Sequence, residues 1–84
     1  MFGIKYSKQA LKDKDKLDGA TLKNAKRLID IIKLNPFQTP PKYEKLVGLK
    51  DQYSRRINKQ HRLWYLVDKK SMSIRILRMW THYE

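Results

Sequence analysis

The residues of this chain that could break a phosphodiester are an upstream glutamate, a group of arginines, and a histidine and tyrosine near the end. Arg55, Arg56 and Arg62 lie in the basic stretch Q-Y-S-R-R-I-N-K-Q-H-R-L-W-Y-L-V that starts at Gln52, Glu44 precedes it, and His82 and Tyr83 stand in the final W-T-H-Y-E. RNA carries its own nucleophile, the 2′-OH. Cleaving it without a metal needs a base to remove that proton, cations for the charge that builds on phosphorus, and an acid for the departing 5′ oxygen. Glu44, Arg62 with Arg56, and His82 fill those roles. Each acid or base group is worth about 10²- to 10⁴-fold. Tyr83, Trp64 or Trp80 could stack an unpaired base.

The distribution of charge supports a phosphate site. Among 84 residues, 20 are Lys or Arg and 8 are Asp or Glu, a net charge of +12 whose self-repulsion points to a polyanionic partner. Each half of the chain holds ten basic and four acidic residues, yet Arg27 is alone in the first half while Arg55, Arg56, Arg62, Arg75 and Arg78 lie in the second. A guanidinium grips phosphate as a two-pronged fork that an ammonium cannot match, so this segregation says more than net charge does. The absence of cysteine removes disulfides, thiol nucleophiles and zinc-cysteine sites, and two distant histidines argue against a metal centre, so no cofactor is expected. No apolar run approaches membrane-spanning length and the first residues lack a signal-peptide layout, which makes the cytosol the expected location.

The elements that must position these residues can be read in order. The length suits one domain, residues 1–84, with a single modest core. A strand over 2–6 ends at Ser7, a good N-cap for a helix over 8–17 with a thin stripe of Ala10, Leu11 and Leu17. Asp18 can cap a second helix, on which Leu22, Ala25, Leu28, Ile29 and Ile32 recur at helical spacing until Asn35-Pro36 stops it. Residues 36–46, P-F-Q-T-P-P-K-Y-E-K-L, read as an extended connection that delivers Glu44. Three strands follow over 53–57, 62–67 and 72–80. The expected fold is α+β, β-α-α-β-β-β, with two helices on one face of a four-stranded antiparallel sheet.

Strand parity leaves two points open. In the last strand each face begins or ends polar, which a bulge or strong twist near Leu77 would explain. In the hairpin, a two-residue turn sets Arg55 opposite Arg62 and a four-residue turn sets Ile57 there. Adjacent Arg55 and Arg56 point to opposite faces, so one of them faces solvent or pairs with an acid.

These residues together resemble the YoeB/Txe-type toxins of the RelE superfamily. The matching pieces are N-P-F from Asn35, Y-E-K-L around Glu44, Y-S-R-R-I-N from Tyr53, H-R-L-W-Y from His61 and the terminal His82-Tyr83. The resemblance implies a ribosome-dependent endoribonuclease acting on mRNA in the decoding site and neutralised by a YefM/Phd-like antitoxin; related toxins can also dimerise. It makes Glu44 the general base, Arg62 the phosphate stabiliser, His82 the general acid, Tyr83 a positioning residue and Arg56 a backbone grip, with Arg78 among the RNA-binding cations. The family commonly has proline after this glutamate and then leucine-lysine. Here Lys45, Leu46 and Val47 follow, so a basic RNA contact is absent or moves to Lys45 or Lys50.

Plainer readings stand beside these. A glutamate in a proline-rich loop is usually solvated, His61 in a turn is structural, Trp64, Tyr65 and Leu66 serve packing, and a histidine near a terminus ordinarily frays. A ParE-like toxin that binds DNA gyrase without catalysis, or a basic module that binds RNA or an acidic protein, would not need the glutamate, arginine and histidine set. Surrounding cations weaken a carboxylate as base and a histidine as acid, and bound phosphates reverse that, so activity is expected to be weak on free RNA and strong on the ribosome.

Overall fold

The computed structural model describes residues 1–80; His82 and Tyr83 lie outside the described residues. The order is β1 (Gly3–Tyr6), α1 (Lys8–Lys16), α2 (Gly19–Leu34), β2 (Tyr43–Lys45), β3 (Gln52–Arg56), β4 (Arg62–Asp68) and β5 (Ser73–Arg78). The α+β class agrees with the sequence reading and its six elements recur in their order, but a seventh is inserted after α2: the sheet has five strands, ordered β1-β5-β4-β3-β2, and it is mixed. β1 pairs parallel to β5, whereas β2 to β5 form an antiparallel meander. The added strand is β2, three residues at an edge. A strand so short shows no alternation to read, and the prolines before it are tolerated because an edge leaves one row of backbone groups unpaired.

Both helices start where their caps dictate. Ser7 Oγ accepts from the Ala10 N–H at 2.9 Å and donates to the Leu77 carbonyl at 2.8 Å, tying the start of α1 to β5. Asp18 accepts from the Thr21 N–H at 2.7 Å. The α2 stripe packs as its spacing requires: Ala25, Leu28, Ile29 and Ile32 are buried against Leu63, Tyr65, Val67, Ile74 and Ile76 of one sheet face, with Leu22 beside them. In α1 the expected stripe is corrected. Ala10 is buried and Leu17 packs at the margin, but Leu11 is 48% exposed and Asp13 takes the inner position at 0%. Residues 10, 13 and 17 fall on one side of a helix and 11 does not.

Asp13 is buried because the end of β5 needs it. It accepts from Arg78 Nε at 2.8 Å, the Met79 N–H at 3.1 Å and the Trp80 N–H at 3.2 Å. Burial pushes its carboxyl upward, but hydrogen bonds from Arg78, Met79, Gln9 and Trp80 outweigh this and hold it below the usual carboxylate value. The bulge expected near Leu77 is present: Trp64 pairs with Arg78 while Tyr65 pairs with Ile76, so Leu77 is the extra residue. Among the described residues no helix is long and apolar enough to cross a membrane.

Candidate active site

The hairpin between β3 and β4 sets the site's geometry. Ile57 N–H bonds the His61 carbonyl at 2.9 Å, and the Asn58 side chain accepts from the N–H groups of Gln60 and His61, both at 2.8 Å. Three residues, 58–60, therefore make the turn, between the two lengths the sequence left open. The asparagine decides this by capping its own turn. The consequence is that Arg56 stands directly opposite Arg62, with Ser54 opposite Trp64. Across the other edge of β3, Glu44 pairs with Ser54 and Tyr43 with Arg55.

Alternation along the strands then sorts side chains onto two faces. Tyr43, Tyr53, Arg55, Leu63 and Tyr65 fall on the face that carries the core, and Glu44, Ser54, Arg56, Arg62 and Trp64 fall on the other. On this second face a cleft of about 370 Å³ is lined by Pro41, Lys42, Glu44, Ser54, Arg56 and Arg62. A smaller hollow of about 180 Å³ continues past Arg56 and Arg62 to Lys59 and Gln60 on the turn. Glu44 Oε2 lies 3.5 Å from Arg62 Nη1, an ion pair longer than a good hydrogen bond, and both residues line the cleft. The glutamate side chain is half exposed and the arginine one-fifth. Two guanidinium groups directly opposite each other destabilise a sheet, and one carboxylate does not neutralise both. The excess positive charge over an open cleft suits an anion with several charged oxygens.

The site residues expected from sequence divide as follows. Glu44, Arg56 and Arg62 come together in the cleft. Lys45 and Lys50 do not line it; they border a separate hollow at the β2–β3 turn with Leu46, Val47 and Leu49. The lysine that lines the cleft is Lys42, which sequence reasoning missed along with Ser54. Period-two spacing from Glu44 and Arg56 would have found both. Arg78 is engaged by the buried Asp13 and by the Trp80 carbonyl at 3.1 Å, so its guanidinium holds the end of β5. His61 is buried with its ring centroid 4.5 Å from that of Trp80. Tyr65 is core, whereas Trp64 is partly exposed and donates from Nε1 to Gln52 at 2.9 Å.

Arg55 departs most from expectation. It neither faces solvent nor pairs with an acid: it is 1% exposed, and no carboxylate reaches it among the described residues. Instead its guanidinium donates to the Tyr65 hydroxyl at 3.0 Å and to the carbonyls of Pro36, Gln38 and Pro41 at 3.0, 2.8 and 2.6 Å. Burial pushes the Tyr65 hydroxyl above its ordinary range, while Arg55 beside it pulls the other way, and the hydroxyl donates onward to Pro36 at 3.1 Å. The sequence held no sign of this, because the acceptors are backbone atoms of a distant segment.

The profile described as the YoeB-like toxin of bacterial type II toxin-antitoxin systems matches residues 6–83, and the chain belongs to that family. Searching curated proteins finds no match. Among solved structures, the chain resembles the YoeB dimer from Staphylococcus aureus at 36% identity and TM-score 0.83, covering 98% of each chain. It likewise resembles the toxin chain of a Staphylococcus aureus YoeB-YefM complex at 34% identity and TM-score 0.80, covering 99% of each. The YoeB/ParE toxin from Agrobacterium tumefaciens, 24% identical over 98% of this chain and 100% of that one with TM-score 0.87, shares the fold.

Proposed function

We propose that this toxin is an endoribonuclease that cleaves mRNA on the ribosome. The observation that carries the reading is the juxtaposition of Glu44 and Arg62 at 3.5 Å in an open basic cleft that Arg56 also lines. Glu44 takes the proton from a ribose 2′-OH, the freed oxygen attacks phosphorus, and the bond to the 5′ oxygen breaks as His82 protonates it. Arg62 and Arg56 stabilise the charge on the phosphate oxygens, and Tyr83 positions the reacting groups. Lys42 adds a cation at the mouth of the cleft, in the part otherwise assigned to Lys45 or Lys50.

The ribosome supplies what so small a cleft lacks, a single-stranded message held in line. The partner that silences the site is an acidic antitoxin of the YefM type, attracted by a charge of +12. A second copy of the chain is a further partner, as in the solved dimer of the relative. The test is single-turnover cleavage of message on programmed ribosomes, with gyrase supercoiling assayed in parallel. Glu44→Ala, Arg62→Ala and His82→Ala should each lose about 10²-fold or more while remaining folded. Variants that stay fully toxic, with gyrase inhibition intact, would replace this reading with a gyrase-binding one.

A further inference from the structure

A buried guanidinium without a carboxylate is an expensive way to fill a core. Desolvating a charge costs several kcal/mol, and a well-packed apolar side chain is commonly as stable or more so. What the guanidinium provides that an apolar residue cannot is direction: five donors in a rigid planar fork. Arg55 commits donors to four acceptors, and three of them, the carbonyls of Pro36, Gln38 and Pro41, belong to one connection that has no ladder of its own. Pro36, Pro40 and Pro41 have no N–H with which to join a hydrogen-bonded structure, so the segment is held from outside.

The segment so held leads straight into β2. Arg55 also lies over the Tyr43 ring, 5.3 Å from its centroid, and Tyr43 joins Phe37 and Tyr53 in a cluster with centroid separations of 5.2 to 5.9 Å. β2 has only three residues and sits at an edge, so its own hydrogen bonds specify register weakly. Fixing Tyr43 on the core face forces the next residue, Glu44, to the cleft. A slip of one residue would exchange them.

We propose that Arg55 is a positioning residue for Glu44: through the 36–41 connection and Tyr43 it sets the register of β2 and hence the direction in which the carboxylate faces Arg62 and the substrate. This rests on the reading of Glu44 as the general base, and the two can fail separately. The geometry also explains why adjacent arginines are both useful, one on each face of β3.

The experiment is a double-mutant cycle read in single-turnover cleavage on programmed ribosomes, combining Arg55→Lys with Glu44→Ala. Lysine keeps the charge but cannot span acceptors at three positions. Arg55→Lys alone should lower the maximal rate by about 10- to 100-fold, the scale of a small misplacement of a catalytic group, with the half-saturating ribosome concentration little changed. On the Glu44→Ala background the same substitution should cost less than about 3-fold, because no base remains to misplace. Equal losses on both backgrounds would show that Arg55 only stabilises the fold and would overturn the proposal while leaving the nuclease reading in place. A Glu44→Ala protein that cleaves at the wild-type rate overturns both. Should Arg55→Lys not fold, Tyr65→Phe carries the same cycle, since it removes only the hydroxyl that bridges Arg55 and Pro36. A smaller loss, confined to proteins that retain Glu44, is then the expected result, and a loss independent of Glu44 overturns the proposal.

Discussion

Arg55 and Arg56 are neighbours on β3 that carry the same group, and alternation sends them to opposite faces of the sheet. Arg55 is enclosed and saturated by neutral oxygens of its own chain. Arg56 is exposed, faces Arg62 across the ladder, and among the described residues pairs with no carboxylate. The covered face uses a charge to fix geometry; the open face leaves charge unmatched for a ligand. Arg78 is a third case, a charge satisfied by a buried acid at 2.8 Å. Together they show that an arginine's role in this fold follows from which oxygens it reaches, a matter of strand parity and partner rather than residue type.

The largest expected effect tests the open face. Glu44→Ala and Arg62→Ala should lower single-turnover cleavage by about 10²- to 10⁴-fold. Their urea midpoints should stay near that of the parent, and a collapse in stability would erase the division of labour between the faces. Next comes the covered face. Arg55→Met leaves the Gln38 and Pro41 carbonyls and the Tyr65 hydroxyl without a donor, Pro36 keeping only the Tyr65 hydroxyl, and should destabilise the protein by roughly 3–5 kcal/mol in urea denaturation. The same change at Arg56 should stay within about 0.5 kcal/mol. Similar values at the two positions would break the comparison.

Arg78 sharpens it through pH. Carbonyls do not titrate, so the Arg55 clamp should persist in acid, whereas the Asp13 clamp should fail. Asp13 is held below its ordinary value of 3.8, so its contribution is complete above that value and disappears as pH falls through the lowered folded-state value. Asp13→Asn should therefore cost about 2–3 kcal/mol near neutral pH, with the gap to the parent narrowing below about pH 4. Urea titrations from pH 6 to pH 2 measure this, and a gap that widens in acid contradicts it. The smallest effect belongs to Arg56→Gln. Relieving the like-charged cross-strand pair should raise stability by about 0.2–0.5 kcal/mol. The same variant should bind programmed ribosomes more weakly and with a shallower salt dependence.

Much of the scaffold was legible because its signals are local. Ser7 and Asp18 cap the residues that follow them, the α2 stripe has helical period, and the unequal faces of the last strand already pointed to the bulge at Leu77. The cleft was legible in part: Glu44, Arg56 and Arg62 could be named, but not how they meet. That depends on a turn of three residues, set by Asn58 hydrogen-bonding within its own loop, whereas a turn of two or four would set Arg55 or Ile57 opposite Arg62. Leu11 is exposed and Asp13 buried for a related reason: the carboxylate is drawn inward by N–H groups more than sixty residues away.

The sequence by itself determined the order of six of the seven elements, the helix caps, the arginine-rich half and, through its motifs, the toxin family. These rest on chain-neighbour interactions and on patterns that survive without coordinates. Tertiary structure alone decided that residues 43–45 form a fifth strand, that Arg56 faces Arg62 with Glu44 beside them, and that Arg55 turns inward. The physical reason is that a strand's parity says two neighbours must part but not which way. The direction comes from oxygens at Pro36, Gln38 and Pro41, which reach Arg55 only once the chain has folded.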